Sequence, residues 1–262
     1  MDRLHEIEAL NAQLLAELPQ YREAAARFPG DLPSRRRLLR SLMNLRPPMP
    51  LNPGFLARQD RLLSAEREER GVVDAMDLPP TAADPRIAIW QGDITRLAAG
   101  AIVDACNSAL LGCFCPCHGC IDNAIHSAAG LQLRDACHRL MEAQGHPEPV
   151  GRAKLTEGYN LPADFVLHTV GPLVQGPLTA RDCRDLAACY RACLRLAAER
   201  GIESVAFCCI STGEFHFPPE RAAEIAVETV RDFLSRDAAL RRVVFNVFTD
   251  ADLDLYRPLL AR

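Results

Sequence analysis

Lysine is all but missing from this chain. Lys154 is the only one among 30 lysines and arginines, so chemistry through an imine has a single candidate nucleophile. An excess of positive charge is missing as well. The formal net charge is −4, which gives no global field to draw DNA or RNA, and no nucleic-acid partner is expected. Long apolar runs are also absent. None approaches the ~18 residues of a membrane helix, and the opening Met-Asp-Arg-Leu-His-Glu carries charges where a secretory signal has its apolar stretch. We therefore expect a soluble, cytoplasmic, monomeric protein without membrane contact. No internal repeat or low-complexity tract is present, so each segment is read on its own.

What the chain does have is apolar bulk and sulfur. Of its 262 residues 48% are hydrophobic, enough for one large α/β domain with an appendage or for two modest domains. Eleven cysteines is an odd number. Six of them (Cys137, Cys183, Cys189, Cys193, Cys208, Cys209) fall in apolar-patterned segments where a reduced thiol is a small hydrophobe, so no disulfide framework is expected. Four others share one short stretch with a histidine: Gly112-Cys113-Phe114-Cys115-Pro116-Cys117-His118-Gly119-Cys120, followed by Asp122 and His126. Thiolates and imidazole are the donors zinc prefers; a catalytic zinc keeps three protein ligands and one open place, whereas a structural one closes all four. Three readings stand at this point. They are a three-ligand catalytic site, a four-ligand structural site, and metal-free redox chemistry at Cys117 and Cys120, a C-x-x-C whose second Cys precedes a helix.

Around this loop the pattern changes along the chain. Leu4, Ile7, Leu10, Leu14, Leu15 and Leu18 recur at helical spacing, Ser34 is placed to cap a helix carrying Leu38, Leu39, Leu42 and Met43, and a further helix spans about 53–70. The run Arg35-Arg36-Arg37 with Arg40 reads as a solvated helix face. Leu78-Pro79-Pro80 then punctuates the chain, giving a helical extension over 1–80 and a second unit over 81–262. There, short apolar runs at 86–90, 101–105, 153–157, 165–170, 204–209 and 243–248 predict strands, and 121–144, 180–200, 219–236 and 252–260 predict helices. Such alternation implies a mostly parallel sheet with ligands at the carboxyl ends of its strands.

Candidate residues sit just there. Asp93 and Ile94 follow the first strand, and Asn107 follows the second. Ser211-Thr212-Gly213-Glu214-Phe215 follows the fifth, a turn whose backbone N–H groups suit a phosphate. Each also has a plain reading: Asn107 as turn chemistry, Asp122 as a helix cap, His126 as a packed and hydrogen-bonded histidine. His168 reads as structural, and nothing adjacent in sequence lowers the pKa of Cys106. Phe248, at the end of the last strand, suits either a cover over a bound ligand or core packing.

Together the three loops resemble those of a macrodomain, a three-layer α/β/α fold that binds ADP-ribose, with a mixed, mostly parallel sheet. The cysteine loop, from Gly112-Cys113-Phe114 to Cys120-Ile121-Asp122-Asn123 and His126, resembles that of a zinc-dependent subfamily of ADP-ribosyl hydrolases. The resemblance implies Zn2+ held by Cys113, His118 and Cys120, and Asn107 and Asp122 at the distal ribose as the catalytic pair. It further implies adenine at Asp93 and Ile94, the diphosphate on Ser211, Thr212, Gly213 and Glu214, and Phe215 against the ribose, with Cys120 also touching the ligand. The activity implied is removal of ADP-ribose from mono-ADP-ribosylated proteins at a carboxylate linkage. The implied partner is a lipoyl-type carrier protein modified by a sirtuin-like transferase. Three features depart from the family pattern: the extra thiols Cys115 and Cys117, and, in Asp104-Ala105-Cys106-Asn107 where N-A-A-N is usual, the acid Asp104 and the thiol Cys106.

Overall fold

The computed structural model describes residues 2–261. Its first helices are α1 (Arg3–Glu17), α2 (Arg22–Ala26), α3 (Leu32–Leu45) and α4 (Pro53–Arg70). A side chain starts three of them: Asp2 accepts from the Leu4 N–H, Asp31 from the Ser34 N–H at 2.9 Å, and Asn52 from the N–H groups of Gly54 and Phe55. Ser34 is therefore inside α3 and does not cap it. Pro33 fits only the first turn of a helix, which moves the start upstream to Leu32. Ile7, Leu10 and Leu14 of α1, Leu39 and Leu42 of α3 and Phe55 of α4 bury against one another in a core of their own. Each such side chain contributes ~1.5–3 kcal/mol on leaving water.

The chain continues as β1 (Val73–Asp74), β2 (Ile87–Gln91), β3 (Leu97–Ala98), β4 (Ala101–Cys106), α5 (Ile121–Ala129), α6 (Leu131–Gln144), β5 (Ala153–Glu157), β6 (Phe165–Val170), α7 (Ala180–Glu199), β7 (Ser204–Phe207), α8 (Pro219–Arg236), β8 (Arg242–Val247) and α9 (Asp250–Leu260). β1 and β3 form a small parallel pair, and the main sheet runs β2-β8-β7-β4-β6-β5. All its neighbours are parallel except the edge strand β5, antiparallel to β6. Strands β4, β6, β7 and β8 are buried at nearly every position. Helices therefore cover both faces, as in an α/β/α sandwich.

The single helix expected over 121–144 is two. Gly130 takes φ 98° and ψ 177°, and a Cβ there would lie 2.5 Å from Gln59 Nε2. Gln59 of α4 fills the break and accepts the Leu131 N–H at 3.0 Å. A contact from the amino-terminal helices thus sets where α5 ends, beyond the reach of local periodicity.

Candidate active site

The turns leaving β2, β4, β6, β7 and β8 converge on one cleft of about 520 Å³. All the residues that the resemblance implies for ligand, metal or catalysis line it: Asp93 and Ile94 at one side, Asn107, Cys113, His118, Cys120 and Asp122 at another, and Ser211 through Phe215 across from them. This is the crevice at the carboxyl ends of a parallel sheet.

The cysteine loop sorts its own donors. Cys113 Sγ, His118 Nδ1 or Nε2, and Cys120 Sγ all lie within 4.8 Å of one another, with Cys113 Sγ 3.6 Å from His118 Nδ1. Cys117 takes a positive φ of 52° and its thiol turns away to Ser41 Oγ at 3.3 Å and the Arg37 carbonyl at 3.6 Å, while Cys115 is exposed. Two sulfurs and an imidazole in this arrangement match the donor set and spacing of a zinc centre with three protein ligands. Burial pushes the Cys120 thiol up to about 12 against the pull of the Asn123 N–H at 3.4 Å. A cation between the donors is what turns neighbouring sulfurs into thiolates. His118 Nε2 lies 3.5 Å from Glu214 Oε1 of the opposite loop, and a carboxylate is a common partner for a metal-binding histidine. Glu214 is not expected in that role from sequence.

Cys120 also caps α5: its Sγ accepts the Asn123 N–H. The capping role considered for Asp122 therefore belongs to Cys120, and Asp122 sits in the first turn with its carboxyl buried against His126, Oδ1 to Nε2 3.5 Å. Asn107 makes the turn contact anticipated for it, Oδ1 accepting the Ala109 N–H at 3.0 Å, and also faces the cleft. Asp93 Oδ1 accepts from Thr95 N–H and Oγ1 at 3.0 and 2.7 Å, and Oδ2 meets Arg70 at 3.2 Å. Ser211 adopts φ 66° and lies so near Gly171 that a Cβ on the glycine would be 2.0 Å from its Oγ. The N–H groups of Gly213, Glu214 and Phe215 donate to no backbone carbonyl among the described residues. They are uncommitted donors on residues that line the cleft, as anion binding requires. Phe248 is 73% exposed at the lip, which rules out core packing.

Beneath the cleft lies a polar cluster that sequence reading misses. The parallel register sets Asp104 of β4 opposite His168 of β6, and Asp104 Oδ2 accepts from His168 Nδ1 at 3.0 Å. His168 Nε2 reaches Thr156 Oγ1 at 2.9 Å, so its structural reading holds. His126 Nε2 lies 3.9 Å from Asp104, yet neither of its ring nitrogens has a hydrogen-bond partner among the described residues, contrary to expectation. Burial drives the His126 pKa well below the imidazole range, helped by His168 and Arg134. Burial opposes charge on His168 too, but Cys137 and Asp104 hold its pKa well above that range. Burial, with Asp104 adding repulsion, raises Asp122 well above the usual carboxylate range. Cys106 is likewise pushed up by burial, which leaves it an inert thiol. Arg134 was unforeseen as well. Buried on α6, it donates to the carbonyls of Leu111 at 2.7 Å, Met43 at 2.8 Å and Arg46, and stacks over Phe114 at 4.5 Å. The available signal was a charge among Leu131, Leu133 and Cys137 on an apolar face.

Among known proteins, the Macro domain family matches residues 103–226. A relative from Treponema medium named protein-ADP-ribose hydrolase is 48% identical over 250 residues, 95% of each chain. One of the same name from Staphylococcus aureus is 49% identical over 226 residues, covering 86% of this chain and 84% of its own. Of solved structures, a Trypanosoma brucei macrodomain in complex with ADP-ribose is 32% identical with a TM-score of 0.65, covering 84% of this chain and 94% of its own. A mutant Oceanobacillus iheyensis macrodomain with ADPR is 35% identical with a TM-score of 0.61, over 66% and 90%. With this fold, this cleft and these relatives, the chain belongs to the macro domain family, beside members that are named protein-ADP-ribose hydrolase.

Proposed function

We propose that the protein is a zinc-dependent hydrolase that removes ADP-ribose from mono-ADP-ribosylated proteins at a carboxylate linkage, acting as a cytoplasmic monomer. One observation carries the reading. Three zinc-type donors, Cys113, His118 and Cys120, share a cleft with Asn107, Asp122 and the Ser211 to Phe215 turn. A protein that merely reads ADP-ribose has no evident need of such donors. The names of the relatives agree with hydrolysis.

Zinc bound by these donors would supply positive charge at the distal-ribose end of the cleft. The chain's own groups do the rest. The N–H groups of Gly213, Glu214 and Phe215 hold the diphosphate, and Asp93 and Ile94 receive the adenine. Asn107, fixed by its turn, orients the ribose hydroxyls. Asp122, whose carboxyl pKa burial raises well above the usual carboxylate range, stands where a proton must be moved as water splits the bond. The acceptor leaves as a free carboxyl group and ADP-ribose keeps the new hydroxyl. The preferred partner in this reading is a lipoyl-type carrier protein modified by a sirtuin-like transferase. ADP-ribose release from a carboxylate-modified protein, assayed with and without chelator, tests the proposal. Release that depends on metal is the expected result, while tight binding of ADP-ribose with no release would make the protein a reader.

A further inference from the structure

Arg36, Arg37 and Arg40 do more than decorate a solvated helix face. They wall a groove of about 710 Å³ between α3, α4 and α5, with Arg70 also lining it. Five arginines and three carboxylates line this groove on a chain whose formal net charge is −4, so the local sign is the reverse of the whole. The carboxylates are already engaged: Glu66 holds Arg36 through contacts of 2.6 and 2.8 Å, Glu69 holds Arg3, and Asp93 meets Arg70 at 3.2 Å. Arg37 is exposed, and its side chain makes no ion pair or hydrogen bond among the described residues. Arg40 meets only neutral oxygens, Asn123 Oδ1 at 2.7 Å and the His118 carbonyl at 3.3 Å. Two guanidinium groups are left without a counter-charge.

The occupant follows from the walls. Most are helix flanks whose backbone N–H groups are used within the helices, and outside those helices the Thr95 and Cys117 N–H groups are given to Asp93 and Asn44, so no row of free amides is present to wrap a compact phosphate. Negative charge has to be met side chain by side chain along the groove, which suits separate carboxylates on an extended chain. Position adds the rest. The groove adjoins the cleft at Asp93 and Ala124, which line both. Its floor includes Cys117, whose N–H donates to Asn44 Oδ1 at 2.9 Å, so the groove runs beside the cysteine loop.

We propose that this groove docks a carboxylate-rich segment of the modified protein, adjacent in sequence to the residue that carries ADP-ribose. The inference rests on the hydrolase reading and adds the chemistry of the partner. Field focusing by the groove speeds capture of such segments and selects among modified proteins.

The first test needs no ADP-ribose. A fluorescein-labelled glutamate-rich peptide should bind the parent protein, and its anisotropy titration should weaken about 10-fold in Arg37→Glu, with glutamines in place of glutamates, or in high salt. Equal binding of the acidic and amide peptides, or no change in Arg37→Glu, overturns the proposal. Displacement of the peptide by an equal concentration of inorganic phosphate overturns it in favour of a phosphate site. In the second test, release from an ADP-ribosylated protein with acidic flanks should show KM raised about 10-fold in Arg37→Glu. Its kcat and its affinity for free ADP-ribose should stay at the parent's values, and an unchanged KM counts against docking. If the parent binds the acidic peptide but releases nothing, docking stands and the hydrolase reading falls.

Discussion

Cys113, His118 and Cys120 come from one short loop, keep partial access to solvent, and lean on partners outside themselves. Asp104, Asp122, His126 and His168 come from two strands and a helix, are almost wholly buried, and mostly face one another. Both sets bring donors within 4.8 Å, but their chemistry differs. The loop offers soft sulfur next to open space, so it accepts a cation and substrate together. The buried set is already committed within itself, Asp104 accepting from His168 while burial disfavours charge on His126, and its chemistry answers to the fold. Proximity of ligand atoms alone therefore does not define a metal site; access, and whether the donors are already committed, decide.

The sharpest way to break this comparison is at the loop. Cys120→Ala should lose bound zinc and slow ADP-ribose release by ~10²–10⁴ while keeping ADP-ribose affinity, since a group acting mainly in the transition state appears in the rate. Cys115→Ala should keep both the metal and the rate. Zinc content and single-turnover release read the contrast, and parental turnover in Cys120→Ala would demote the loop to scaffolding.

At the buried set the expected effect is on stability. Asp104→Ala leaves a buried imidazolium without its partner and should cost about 3–5 kcal/mol in urea unfolding. Asp104→Asn keeps an acceptor for His168 and should cost roughly half of that or less. Equal losses in the two variants would mean that charge is not what Asp104 contributes.

The smallest effect is a slope. The His126 pKa is lowered in the folded protein, so below about pH 6.5 the unfolded chain takes up a proton that the folded one refuses. Its contribution is complete above pH 6.5 and fades on acidification, by at most ~1.4 kcal/mol per pH unit. His168, with its raised pKa, has the opposite sign while the unfolded chain titrates around pH 6.5 and is silent only well below it; Asp122, also raised, has the opposite sign too. The difference in unfolding free energy between the parent and His126→Asn, followed from pH 7 downward, isolates the slope. Parallel curves would show that His126 is not buried as a neutral ring.

These regions also differ in how far sequence announces them. The loop was legible because its donors fall within nine positions, and the strands because β-branched runs alternate with helices. What spacing did not supply was the choice among four thiols, made by the positive φ of Cys117 and by Ser41 drawing that thiol away. The Asp104 and His168 pair depends on strand register, and the two residues are 64 apart in the chain. A lone acid in Ala101–Cys106 and a lone histidine in Phe165–Val170 were the only local hints. Gly130 failed as a helix breaker on paper because its partner, Gln59, lies 71 positions upstream. Capping was the other weak point: Asp31 and Cys120 took roles read onto Ser34 and Asp122, since a cap depends on where the helix begins, which local pattern places only to within a few residues.

One consequence follows from how α3 grips the cysteine loop. Asn44 receives the Cys117 N–H, Arg40 holds Asn123 and the His118 carbonyl, Asn123 Nδ2 in turn donates to the Cys115 carbonyl at 3.0 Å, and Arg134 ties Leu111 to the carbonyls at the end of α3. The loop borrows its shape from a helix some 70 residues earlier in the chain. It is therefore not a portable module. Transplanting residues 112–120 alone into a macrodomain without such a helix would move the donors and leave behind the clamp that aims them, so helix and loop have to be inherited, or engineered, as one unit.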